Sequence, residues 1–196
     1  HYLASWCKLL EDAVIDAHHE QQRALHCAVE LGMPFLEVLS RTALAQLLFL
    51  CEDERGGSVQ LRRVHTIARD IRNPLLEFMT LLVYGEAAIK GGRESSGGNA
   101  LRYALGLGRK YAYYHLPWWH PEHLARICSA ALQQGIETDY VRSLIIRRRL
   151  EPVFSSADLP DWPWPLRVRL LGGLSLEYRD HPGLDTDKLR GRPREL

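Results

Sequence analysis

The chain has 196 residues, of which 46% are hydrophobic and 25% charged, with a formal net charge of +1. That is enough chain for one sizeable core, and the balanced charge excludes a strong global pull toward nucleic acid or an anionic membrane. The longest clear apolar run, Ala43–Cys51, is interrupted by Gln46 and falls far short of the roughly eighteen apolar residues a bilayer span requires, so no membrane segment is expected.

At the N-terminus His1-Tyr2-Leu3 reads as the interior of a helix, without signal peptide or initiator methionine, which predicts a piece of a longer protein. Cys7, Cys27, Cys51 and Cys128 sit at unrelated spacings, each in an apolar helical stretch. Buried thiols of a reducing cytoplasm have this pattern, and no disulfide framework is suggested.

A block then recurs every 40 residues. Leu31-Gly32-Met33-Pro34-Phe35-Leu36-Glu37-Val38 aligns without a gap to Ile71-Arg72-Asn73-Pro74-Leu75-Leu76-Glu77-Phe78. A small residue returns at Ala45, Gly85 and Ala125, where two helices would have to approach closely. Periods of this size predict stacked helical hairpins, which share one core and offer long surfaces to partners.

Leu25, Ala28, Val29 and Leu31 give a helical stripe ending at Gly32, a left-handed cap. Pro34, Pro74 and Pro121 each open a helix, where the missing N–H costs little, and Asn73 is the N-cap before Pro74. Gly56-Gly57 and Gly91-Gly92 to Gly97-Gly98 mark hairpin turns. Gly135 ends the helix begun at Pro121, and Glu137–Arg149 forms the last one, for eight helices or four hairpins in all.

At Glu151-Pro152 the pattern changes. Residues 151–165 hold four prolines with Trp162 and Trp164, a linker whose tryptophans can dock on the last hairpin. Leu166, Val168 and Leu170 then alternate with Arg167 and Arg169, and Leu174, Leu176 and Tyr178 alternate again after Gly172-Gly173. A period of two on both sides of a glycine turn predicts a β-hairpin, too small to be stable alone.

Two stretches, Gly135-Ile136-Glu137-Thr138-Asp139-Tyr140-Val141-Arg142 through Leu144–Pro152 and Trp162-Pro163-Trp164-Pro165 through Gly172, together with Trp118-Trp119, resemble large bacterial transcriptional regulators of the MalT-like class. The resemblance implies a tetratricopeptide-like all-α solenoid over 1–150, a Pro/Trp linker over 151–165, and over 166–196 the incomplete start of a winged-helix domain related to OmpR and the bacterial transcriptional activator family. Lys188–Leu196 is similar to the opening of that domain's first helix. No Walker A motif and no recognition helix occur, so neither a motor nor a reading head is expected. The implied role is a cytoplasmic sensor and interaction segment that takes a protein or small effector, reaches DNA only through a downstream domain, and is open to self-association. A generic protein-binding scaffold without any link to DNA is the alternative.

Candidate sites emerge from local chemistry. Tyr111, Tyr114, Trp118 and Trp119, with Tyr113, make the densest aromatic patch; core packing is the simpler role, and an effector surface the sharper one. Arg147, Arg148 and Arg149 complement a helix C-terminus or contact the DNA backbone. His115, His120 and His123 around the tryptophans fit no zinc spacing and read as solvated or capping residues, as His18, His19 and His26 read as surface. The glycine-rich segment 91–98 lacks the lysine and preceding strand of a phosphate cradle. No nucleophile, base and orienting acid can be assembled, so no catalytic residue, cofactor or metal is expected.

Overall fold

The structure, a computed structural model, describes residues 1–115, 118–153, 159, 161–169 and 175–178. Among them the chain is mostly helical: α1 (Tyr2–Leu10), α2 (Val14–Glu30), α3 (Pro34–Leu50), α4 (Glu54–Ile71), α5 (Pro74–Lys90), α6 (Glu94–Tyr111), α7 (Pro121–Gln133) and α8 (Thr138–Arg148). Strands β1 (Leu166–Arg169) and β2 (Ser175–Tyr178) pair antiparallel, with Leu166 opposite Tyr178 and Arg169 opposite Ser175. The expected turn at Gly172-Gly173 and the helix start at 188–196 lie outside the described residues.

The 40-residue recurrence is carried by the helices themselves. α3 and α5 have 17 residues each and open on a proline 40 positions apart; α4 and α6 have 18 each and open on a glutamate 40 apart. Chain reversals come at half that interval. Asp12, Gly32, Glu52, Arg72, Gly92 and Ala112 all have positive φ, between 48° and 74°, and stand 20 residues apart. After five of them the next amide reaches back five residues, as in Met33 N–H to Ala28 C=O at 3.0 Å and Arg93 N–H to Ala88 C=O at 2.8 Å. These bonds satisfy carbonyls that the ending helix leaves open. At helix starts, Asn73 Oδ1 accepts from the amides of Leu75 and Leu76, and Asp53 Oδ1 from Gly56.

Each odd helix packs on the even one that comes after it, and α3, α5 and α7 also touch in succession. The tightest crossing is between α5 and α6. A Cβ on Gly97 would lie 2.8 Å from the Gly85 carbonyl oxygen, and one on Gly85 2.6 Å from a Leu101 methyl carbon. Gly97-Gly98 and Gly56-Gly57 therefore lie inside helices rather than in turns, whereas Gly91-Gly92 is the turn expected of it. Gly57 similarly faces the Phe49 ring, so the doublet serves interhelical packing in both repeats.

The principal core runs through Leu47, Phe78, Leu82, Leu101, Leu105, Trp118, Leu124 and Leu144. Two expectations are corrected. The buried face of α2 is Ala17, Gln21, Ala24 and Ala28, whereas Val29 and Leu31 are exposed. Gln21 is buried with its Nε2 donating to the Ser40 carbonyl at 3.0 Å, while its Oε1 has no partner among the described residues. Of the cysteines only Cys128 is buried, and burial pushes its thiol up; Cys7, Cys27 and Cys51 are exposed at helix faces and ends. No described helix is long and apolar enough to cross a membrane.

Candidate functional site

Because α3, α5 and α7 lie side by side at a common spacing, one position in each repeats at 46, 86 and 126: Gln46, Glu86 and Arg126. These three polar residues come directly after the small residues Ala45, Gly85 and Ala125, all buried at the helix contacts. His123, one turn before Arg126, completes the row. Two adjoining hollows share Gln46, Val83, Glu86 and His123. The inner one, of about 20 Å³, lies beneath Trp118 and Trp119; the outer one, of about 380 Å³, is flanked by Phe49, Leu50, Lys90 and Arg126.

Glu86 is the centre of the cluster. Its carboxylate accepts from His123 Nδ1 at 3.1 and 3.2 Å and from Arg126 Nε at 3.0 Å. The Arg126 guanidinium also lies against the imidazole, its Nη2 2.9 Å from Nδ1 and 3.2 Å from Nε2. Burial acts to raise the Glu86 carboxyl, and hydrogen bonds and charge from His123 and Arg126 overcome it, holding the group below the usual carboxylate range. Next to it His120 is lowered, first by burial and then by the proximity of His123. The arrangement ties α5 to α7 and leaves a guanidinium edge and the Lys90 ammonium facing the outer hollow, opposite apolar Phe49 and Leu50. The outer hollow thus has a cationic rim over an apolar wall.

The anticipated aromatic surface divides in two. Trp118 and Trp119 are core, with exposures of 1% and 8%; their rings meet Tyr2 at 5.8 Å and Phe78 at 5.6 Å. Their expected place on an open effector face is therefore corrected. Tyr111 remains exposed and stacks on Tyr113 at 5.6 Å. Tyr114 is half-buried between the Tyr140 ring, 5.3 Å away, and the Arg147 guanidinium, 4.1 Å over its face. Among the histidines, His123 departs from the solvated or capping role, being buried and ion-paired across two helices.

The arginine run closes α8 and is largely engaged within the fold. Arg147 covers Tyr114, Arg148 Nη1 lies 3.0 Å from His115 Nδ1, and Arg149 is the left-handed residue after the helix. Arg149 alone of the three stands exposed without a contact of this kind among the described residues. Of the linker tryptophans, Trp162 is 2% exposed and belongs to the principal core, together with Leu159. Trp164 is half-buried, its indole N–H donating to the Leu159 carbonyl at 3.3 Å. Arg142 on α8 fastens the same segment, bonding the Asp161 carboxylate at 2.9 Å and its carbonyl at 3.3 Å.

The row at 46, 86 and 126 is not singled out by sequence reasoning, although its signal lies in the 40-residue recurrence, one position beyond the small-residue series. Comparison with protein-family models, with curated proteins and with solved structures finds no match to this chain.

Proposed function

We propose that residues 1–150 form a tetratricopeptide-like solenoid of four helical hairpins whose α3/α5/α7 face binds a protein or small effector, and that residues 151–165 relay its occupancy to an OmpR-like winged-helix domain begun at 166. In this reading the chain is the sensor and interaction segment of a bacterial transcriptional regulator, and DNA is contacted through the downstream domain. The repeated helix bounds and the continuous α3/α5/α7 surface support the array. The observation that carries the coupling is the docking of the linker: Trp162 enters the array's own core while Arg142 holds Asp161. A partner that binds the docked and released arrangements unequally shifts the balance between them; coupling of about 1–3 kcal/mol is typical.

The test is DNA binding against salt concentration, for this chain and for the parent polypeptide carrying the downstream domain. Binding by the parent alone, falling steeply with salt, is the expected result. Binding by neither would return the array to a protein-interaction scaffold unconnected with DNA.

A further inference from the structure

A second groove lies between α4 and α5, bordering the outer hollow at Phe49 and Ala87. α4 packs mainly on α3 and touches α5 at few points, so the two helices diverge and leave hollows of about 570 and 430 Å³ that meet at His65, Thr80 and Leu81. The α4 wall carries Arg62, His65 and Arg69, spaced three and four residues apart and therefore on one helical stripe, and Arg72, the left-handed residue that ends α4, lines the same groove. Arg93 adds a fifth basic side chain, 6.0 Å over the Tyr84 ring. Against these stands one lining carboxylate, Glu77. Among the described residues the guanidinium groups of Arg62, Arg69 and Arg72 have no acid partner, and all three are exposed. The floor is apolar, formed by Leu61, Val64, Leu81 and Tyr84.

We infer that this groove receives an acidic amphipathic helix from a partner protein, with its apolar residues on Leu81 and Tyr84 and its carboxylates on Arg62, Arg69 and Arg72. Three features select that occupant. Arg62 and Arg72 stand ten residues apart, about 15 Å along α4 at the helical rise, so the charge is a line rather than a point for a single phosphate. Arg62 and Arg69 stand about two turns apart on one face of α4, a spacing at which Asp or Glu can recur on one face of a helix laid alongside. A nucleic-acid strand would want a series of exposed aromatic platforms, and the groove offers Tyr84 and a largely buried Phe49, beside a repelling Glu77. A downstream DNA-binding domain has no part in this groove, so binding here and coupling to DNA succeed or fail separately.

The test uses the whole chain and a fluorescein-labelled helical peptide carrying one stripe of Glu and a neighbouring stripe of Leu. Fluorescence anisotropy should give saturable binding with a Kd on the order of 10 μM at low salt, weakening as salt rises. Replacing every Glu by Gln in the peptide, or making the double change Arg62→Glu with Arg69→Glu in the protein, should each weaken it at least about tenfold. Because both arginines are exposed and without an acid partner among the described residues, the double variant should keep its helical circular dichroism; Arg69→Ala gives a milder second variant. A peptide with Lys in place of Glu should then bind the double variant more tightly than the original chain, a rescue that loss of fold cannot produce. No saturable binding of the acidic peptide, equal binding of the Gln peptide, or failure of the Lys rescue would each overturn the inference. Tighter binding of a single-stranded oligonucleotide than of the peptide, lost in the double variant, would reassign the groove to nucleic acid.

Discussion

Two glycines on one helix make opposite predictions. Replacing either Gly97 or Gly106 of α6 by alanine should gain about 1 kcal/mol of helix propensity. At Gly106 the new methyl meets only Glu137 Oε1 at 3.6 Å, so the gain survives, and Gly106→Ala should stabilise by about 0.5–1 kcal/mol. At Gly97 the methyl would stand 2.5 Å from Ile89 Cγ1, 2.8 Å from the Gly85 carbonyl oxygen and 3.1 Å from the Ile89 amide nitrogen. Two of those three atoms are backbone, which no rotamer change can move aside. The helices must separate, and overpacking of this kind costs about 1–3 kcal/mol or more, the upper end applying where backbone must shift. After the propensity gain, Gly97→Ala should lose about 1–2 kcal/mol. Urea denaturation monitored by helical circular dichroism measures both, with an unchanged slope showing that stability itself has moved. A Gly97→Ala protein as stable as the original would refute the claim that α5 and α6 cross backbone to backbone.

Removing the charge at Glu86 by Glu86→Gln should cost about 1–2 kcal/mol at neutral pH, discounted because Arg126 is about one-third exposed. Since the folded carboxyl sits below its ordinary range, its contribution is present above the unfolded carboxylate range and fades as pH falls through the folded value; a variant-to-parent difference that persists undiminished in strong acid would contradict this. Glu52, exposed at φ 62°, should gain from Glu52→Gly by about 1 kcal/mol, raising Tm by about 2–4 °C, and a lower Tm would mean that the side chain has a role the turn geometry does not reveal. Trp162→Ala should cost about 3–5 kcal/mol and make trypsin cleave faster after Arg149 and Arg167; unchanged stability and cleavage would mean that the linker is not held by this ring.

The helix starts were legible because the sequence spells them in residues with one local meaning: Pro34, Pro74 and Pro121, and Asn73 as a cap. Glycine marked the stops at Gly32, Gly92 and Gly135, and the change of pattern at Glu151-Pro152 marked the one at Arg149. Asp12, Glu52, Arg72 and Ala112 adopt the same left-handed backbone without advertising it, since the hydrogen bonds and packing of the turn outweigh a local cost of about 1–2 kcal/mol. Glycine doublets misled for the converse reason: their requirement at Gly57 and Gly97 comes from an opposing helix, which no local pattern reports. His123 and Trp118 illustrate the same limit. Whether a polar or aromatic residue near a turn faces water depends on what the neighbouring repeat places over it.

Graded exposure within the Glu86 cluster determines how a ligand can act on it. The side chains of His123, Glu86 and Arg126 are 10%, 20% and 32% exposed, so Arg126 is the member an anion from the outer hollow meets first. An anion that takes over the guanidinium leaves Glu86 held by His123 alone, removing the Arg126 link between α7 and α5. The trade is nearly even in hydrogen bonds, because Arg126 exchanges one carboxylate for another; what changes is which helices the charge connects. On the proposed function that exchange is the signal. α7 packs on α8, and α8 carries Arg142, whose bonds to Asp161 lie beside the buried Trp162. A ligand too small to reach Arg126, or without an anionic group, would occupy the same hollow and leave the connection between α5 and α7 intact. Binding and signalling should therefore separate according to the charge of the ligand rather than its affinity.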